Sequence, residues 1–444
     1  MRGLLRTRND YECVINGVME EIITMNKMNI REVIDKIFTL EETGFRTTLL
    51  GIGPMSRNLI VASLELAKEK DFPILFIASR NQVDAKELGG GYVCNWDQQG
   101  FKEAIEEIAK EVDFTGLYYL CRDHGGPWQR DNERNSHLSE ATAMELAKKS
   151  YVEDLIHNFD LLHIDPTKDP YVMGKSIAMD VVINRTIELI AYVENERRLR
   201  QLPEIGYEVG TEETNGGLTS QGNYELFIRQ LTGELSKRGL PIPVFIVGQT
   251  GTLTRLTKNV GEFSYQSSKL LADTAKKYGV GLKEHNGDYL EDYIILDHPS
   301  LHITAMNVAP EFGYIETKAY LELLRLEEKE VENGRLENPS NLKRVMSEEA
   351  VNSGRWKKWV IGDDVHLSVE EILAEEELTA TICEICGHYT YENEEVKREI
   401  TTLFANMKTL GIDGNRYILD KIKNSIDRYV QCFNLQGLTS KLLN

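Results

Sequence analysis

Leu117-Tyr118-Tyr119-Leu120-Cys121-Arg122-Asp123-His124-Gly125-Gly126-Pro127 is a short β-rich apolar run that ends in an acid, an imidazole and two glycines. Seven other runs share this build, each closed by glycine or polar residues: 48–53, 73–79, 161–165, 205–210, 244–248, 281–285 and 302–308, with 116–121 third in order. Between them lie stretches whose apolar residues recur every three or four positions, such as 57–70, with Ser56 as its N-cap, and 99–112. Strands that alternate with helices pair in parallel. Eight such units over residues 46–313 match the size of a (β/α)8 TIM barrel, typically about 250 residues. A doubly wound open sheet is the competing architecture. Polar residues cluster just after nearly every strand, where a barrel builds its site, and this favours the barrel.

The flanks read differently. At 444 residues the chain exceeds the size at which a single core usually stops growing, so a large domain with a smaller one is expected. Residues 314–333, 369–378, 393–410 and 415–433 are charged with apolar positions at helical spacing, and no strand pattern returns. A helical C-terminal domain over 314–444 follows. Residues 1–45 form a helical extension, patterned at 11–25 and 30–40, that covers the base of the barrel.

Fifty-one Lys and Arg against 71 Asp and Glu leave a formal charge of −20. Such a chain repels nucleic acid and anionic membranes at long range, although local groups can still bind a sugar phosphate. Arg2, Arg6 and Arg8 enclose too few apolar residues for a signal peptide, and no run approaches a membrane span, so a cytoplasmic protein is expected. The six cysteines are scattered and read as reduced thiols.

The chemistry concentrates at strand ends. On the third, the Asp123 carboxylate can move protons and the His124 imidazole can bind zinc or a similar ion. On the fifth, Glu208 and Glu212 share strand parity, and two inward carboxylates are costly without a cation. His285 ends the seventh, so His124, His285 and one of the two glutamates would form a set with open positions for substrate. Ser79, Asn81 and Gln82 after the second strand, His163 and Asp165 on the fourth, Gln249 after the sixth and Asn307 on the eighth suit a polyhydroxylated ligand. Arg80, Arg122 and Arg130 are candidates for a substrate carboxylate or phosphate. Cys383-Glu384-Ile385-Cys386-Gly387-His388 is half a zinc motif without its second half and reads as helix. His298 and His302 flank the eighth strand, and one of them could replace His285 as a ligand. The glycines at 51–53 and 89–91 complete no nucleotide-binding fingerprint.

Taken together, Ser79-Arg80-Asn81-Gln82-Val83-Asp84, Asp123-His124-Gly125-Gly126-Pro127, His163-Ile164-Asp165, Gly210-Thr211-Glu212 and the stretch from His285 to Asp288-Tyr289 resemble the GatZ/KbaZ-like family. That family is the accessory-subunit type of class II tagatose-bisphosphate aldolase, and its relatives include metal-dependent ketose 4-epimerases. The pattern is similar, more remotely, to the catalytic class II aldolases. The resemblance implies Asp123 as acid/base, with Asp165 and Glu212 as further catalytic groups. It also implies a divalent metal, zinc or else manganese, cobalt or nickel, on His124, Glu208 and His285. Ser79, Asn81, Gln82, Arg122, Gln249, Asp288 and Asn307 would line the substrate. The implied partners are a sugar or sugar phosphate and either a second copy of the chain or a catalytic aldolase subunit. Asp123-His124-Gly125-Gly126-Pro127-Trp128 and Glu213-Thr214-Asn215 depart from the family pattern, which points to diverged substrate loops. Aldol cleavage, 4-epimerisation, ketose isomerisation by proton transfer and a non-catalytic role beside a separate aldolase all remain open at this stage.

Overall fold

The computed structural model describes residues 27–172, 177–211, 217–360 and 362–444. The expected helix at 11–25 lies outside the described residues. Each of the eight runs forms a strand: β1 (Leu49–Ile52), β2 (Ile74–Ser79), β3 (Tyr118–Gly125), β4 (Leu161–Ile164), β5 (Gly206–Val209), β6 (Phe245–Val247), β7 (Gly281–Glu284) and β8 (Ala305–Val308). Neighbours in the chain pair in parallel and β8 pairs with β1, so the sheet closes into a barrel. An open sheet is thereby excluded. Ile74, Leu75, Phe76, Ile77 and Ala78 are all buried, because one face of β2 fills the barrel and the other meets the helices.

Local signals set the helices. Ser56 Oγ accepts the Leu59 N–H (3.0 Å) at the start of Arg57–Lys70, and Asp71, at φ 56°, ends it in the left-handed region. At the other end of the barrel, Asn29 and Glu32 form a capping box for Ile30–Glu42. Arg31 of that helix donates to the carbonyls of Gly279 and Ile242, which precede β7 and β6 (2.9 Å each). The helix therefore lies at the N-terminal ends of the strands.

The helix Pro310–Glu332 starts directly after β8 and runs through residues 313 and 314, so the C-terminal helices continue from the last helix of the barrel. Gly414–Cys432 packs on both Pro310–Glu332 and Arg57–Lys70, and its Ile418, Ile422 and Ile426 join the barrel core. Each such buried side chain contributes about 1.5–3 kcal/mol. The Phe433 carbonyl accepts from the Thr48 N–H (3.1 Å) at the entry to β1. A smaller core gathers Trp356, Ile372, Ile382 and Cys386. Cys383 and Cys386 lie in the helix Glu376–Cys386, where burial pushes their thiols up to about 11 and about 12. A short antiparallel pair, Thr254–Arg255 with Lys258–Asn259, follows β6 without an evident signal in the sequence. No described helix is long and apolar enough to cross a membrane.

Candidate metal centre and active site

Simple strand alternation would send Asp123 and His124 to opposite faces of β3. The strand keeps register with β2, placing Asp123 beside Ser79, but shifts against β4 between Arg122 and Gly125. His124 takes φ 42°, a left-handed conformation that costs a non-glycine residue roughly 1–2 kcal/mol. This irregularity brings both side chains to the mouth of the barrel. Asp123 Oδ1 accepts from Asn307 Nδ2 (3.0 Å), and His124 Nδ1 lies 2.6 Å from Asp165 Oδ2. Gly51 makes room for Asn307: a Cβ there would stand 2.2 Å from Asn307 Oδ1.

Three imidazoles converge at this point. His124, His163 on β4 and His285 after β7 each bring a ring nitrogen to a point where all three lie within 4.8 Å of one another, the one such ligand group among the described residues. His124 Nε2 is 3.1 Å from His285 Nδ1, and the buried His163 Nε2 has no hydrogen-bond partner. Carboxylates stand behind two of the rings. Asp165 holds His124, and Glu208 Oε1 lies 2.7 Å from His285 Nε2. The other Glu208 oxygen pairs with Lys283 Nζ at 2.5 Å in the barrel interior.

The charges follow from this packing. Burial disfavours the carboxylate of Asp123, but His124, then His163 and His285, outweigh it and hold its pKa below the usual range. Asp165 is likewise held low, against burial, by its bond to His124. Glu208 is brought down to about 2, where Lys283 and the imidazoles overcome burial. Burial lowers the pKa of His285, whereas Asp123 and Asp165 overcome burial at His124 and raise it to about 9. Three ionised acids thus surround three imidazoles, one of them with an orphaned nitrogen. That donor set fits a borderline divalent cation such as zinc, and imidazoles backed by carboxylates are the usual support for such an ion. His124, His163 and His285 would hold it.

Residues 34–231 match the model of the D-tagatose-1,6-bisphosphate aldolase subunit GatZ/KbaZ-like family. This stretch of the chain is similar to that family. The chain also superposes on the crystal structure of a probable tagatose 6 phosphate kinase from Sinorhizobium meliloti 1021, with TM-score 0.70 and 16% identity over 87% of this chain and 100% of that one. With the fructose-bisphosphate aldolase of Campylobacter jejuni the TM-score is 0.51 at 12% identity, over 93% and 99% of the two chains. At these identities the likeness is one of fold. No curated protein matches the sequence.

The GatZ/KbaZ-like stretch carries Asp123, His124, His163, Asp165 and Glu208, while His285, Lys283 and Asn307 come from the strands beyond it. Several expected roles shift. Glu208 and Asp165 stand behind ring nitrogens of the cluster, and Asp165 Oδ1 also accepts from Thr167 Oγ1 (2.5 Å). His163, noted in the sequence only as a polar neighbour of a sugar, is the third imidazole. Arg122 is buried and its guanidinium is engaged within the protein: it donates to Asp154 and to the carbonyls of Ala78 and Val83 (2.8 Å each). Arg80 and Arg130 are likewise engaged by Asp84. Gln82 closes a turn onto the Ser79 N–H (2.8 Å), and Asn81 reaches the Gln129 carbonyl (3.3 Å). Gln249 pairs its backbone with Thr219. Asp288 caps the helix after β8. His298 pairs with Glu284 and His302 with Asp273, both away from the cluster. Glu212 lies outside the described residues.

Proposed function

We propose that this chain is a metal-dependent enzyme of aldol-type chemistry on a ketose, either cleaving the bond between C3 and C4 or rejoining it as a 4-epimerase. The observation that carries this reading is the three-imidazole cluster with the ionised Asp123 at its edge. A divalent ion bound there supplies Lewis-acid stabilisation of negative charge on a substrate oxygen. Asp123 accepts the proton of the C4 hydroxyl as the C3–C4 bond breaks and that oxygen becomes an aldehyde. It returns the proton when the bond re-forms. Asn307 keeps Asp123 in place through its 3.0 Å hydrogen bond, and the imidazoles keep it ionised. Rejoining the halves with the aldehyde turned over inverts C4, whereas passing the proton held by Asp123 to C3 of the enediolate half and releasing both halves completes cleavage.

The test is to incubate metal-loaded protein with ketohexoses, ketose phosphates and keturonates and to analyse the products for epimers and three-carbon fragments. Turnover is expected on at least one of them, with kcat reduced on the order of 100-fold or more in Asp123→Asn. A protein that turns over none of them and binds a separate aldolase chain instead is a partner barrel.

A further inference from the structure

A cavity of about 150 Å³ that shares no residue with the imidazole cluster lies in the seam between the barrel and the C-terminal helices. Its barrel side is the turn after β1, from Met55 to Asn58, and the stretch from Tyr92 to Cys94 in the loop after β2. Glu316 and Tyr320 on the helix Pro310–Glu332, with His388, close the other side. A void of this size takes a molecule of about six non-hydrogen atoms.

His388 is the feature that points to a ligand. It is 3% exposed, and neither ring nitrogen has a hydrogen-bond partner among the described residues. The ring is held in place: a Cβ on Gly313 would stand 2.8 Å from its Cγ, and the Tyr389 ring packs 4.0 Å away, centre to centre. Burial, then the charge of Arg355, brings its pKa down to about 3. At neutral pH the imidazole is therefore uncharged and offers one N–H donor and one acceptor, and a hydroxyl group can answer either.

Ions fit poorly here. Of the charged lining groups, Arg57 is taken by Glu107 and Glu111, and Glu392 by Lys397. Both Glu316 oxygens already accept, from Ser56 Oγ (2.5 Å) and Asn58 Nδ2 (2.9 Å). Burial, then Glu392, pushes the Cys94 thiol up, which keeps it neutral. An anion would meet the Glu316 carboxyl, and a cation would meet the field of Arg355 that keeps His388 unprotonated.

We propose that this seam is a second binding site, for an uncharged molecule of about six non-hydrogen atoms that carries hydroxyl groups, such as a three-carbon polyol, with His388 as its hydrogen-bond anchor. The site is separate from the ketose centre proposed above and does not depend on that reading. Because its walls come from both the barrel and the C-terminal helices, an occupant stabilises their contact.

Saturation-transfer NMR with glycerol as the probe tests the site. Saturable binding with Kd at or below about 10 mM is expected. His388→Phe, which keeps a ring of similar size without its nitrogens, is expected to weaken it at least about tenfold. His124→Ala, which dismantles the imidazole cluster, should leave it unchanged. Glycerol 3-phosphate and 3-amino-1,2-propanediol, the anionic and cationic counterparts, are expected to bind at least about tenfold more weakly. If His388→Phe does not fold, Ile400→Trp, on the partly exposed helix that lines the cavity, fills the space and should abolish binding. The inference is overturned by an absence of saturable binding up to about 100 mM, by binding that His124→Ala removes and His388→Phe or Ile400→Trp leaves intact, or by a charged counterpart that binds as tightly as glycerol.

Discussion

At Lys283 an ammonium group sits in the barrel interior 2.5 Å from Glu208 and 5.5 Å from the centre of the Phe245 ring. Removing it strands the Glu208 carboxylate without its main counter-charge, at a cost of about 3–5 kcal/mol. Lys283→Met is expected to lose that much stability in urea unfolding, and adding Glu208→Gln should recover most of it. A single variant as stable as the parent chain would show that the pair carries no such weight. Asp123 and His124 were legible in the sequence because an acid and an imidazole at a strand end stand out. His163 was not, since one histidine between Leu162 and Ile164 looks the same whether it packs a core or binds an ion. What distinguishes it is the pairing of His163 with Glu208 across β4 and β5, together with the approach of His285, and both are long-range facts.

Among the elements, all eight strands were legible because their apolar runs are short and regularly punctuated. The end of β3 was not: the sequence reading stops it at Cys121, whereas the strand runs on to Gly125 through the irregularity at His124. The same limit explains Arg122, which reads as a substrate group beside Asp123 yet points to the opposite side of the strand. There its guanidinium meets Asp154, and both side chains are fully buried. Arg122→Leu should therefore destabilise the fold by about 3–5 kcal/mol, measured by urea unfolding. An Arg122→Leu protein of unchanged stability but raised KM would instead restore Arg122 to the substrate site.

On the scale of the whole molecule, the helix Pro310–Glu332 joins the C-terminal region to the barrel, and Glu316 lies at that junction. Its carboxyl group accepts from Ser56 Oγ (2.5 Å) and Asn58 Nδ2 (2.9 Å) on the barrel side. Burial nevertheless pushes its pKa up from 4.5 to about 7. The folded chain then holds a proton that the unfolded chain has released between those values. This contribution to stability is complete below pH 4.5 and is lost as pH rises through 7, by up to about 3 kcal/mol. Glu316→Gln should flatten that part of the stability profile between pH 5 and about pH 8, read from melting temperatures. An unchanged profile would assign the pH dependence to other groups. The helical character of this region was legible from periodicity, but its docking was not, because Glu316 and Ser56 are 260 residues apart.

The central claim is that His124, His163 and His285 hold a divalent ion, and metal content after gel filtration tests it most directly. The parent chain is expected to retain about one zinc or similar ion per chain, and His163→Ala to lose it. Glu208→Gln, which leaves the three imidazoles in place, should keep the ion at about 10–100-fold weaker affinity. A parent chain without stoichiometric metal, or a His163→Ala protein that retains it fully, would contradict the account.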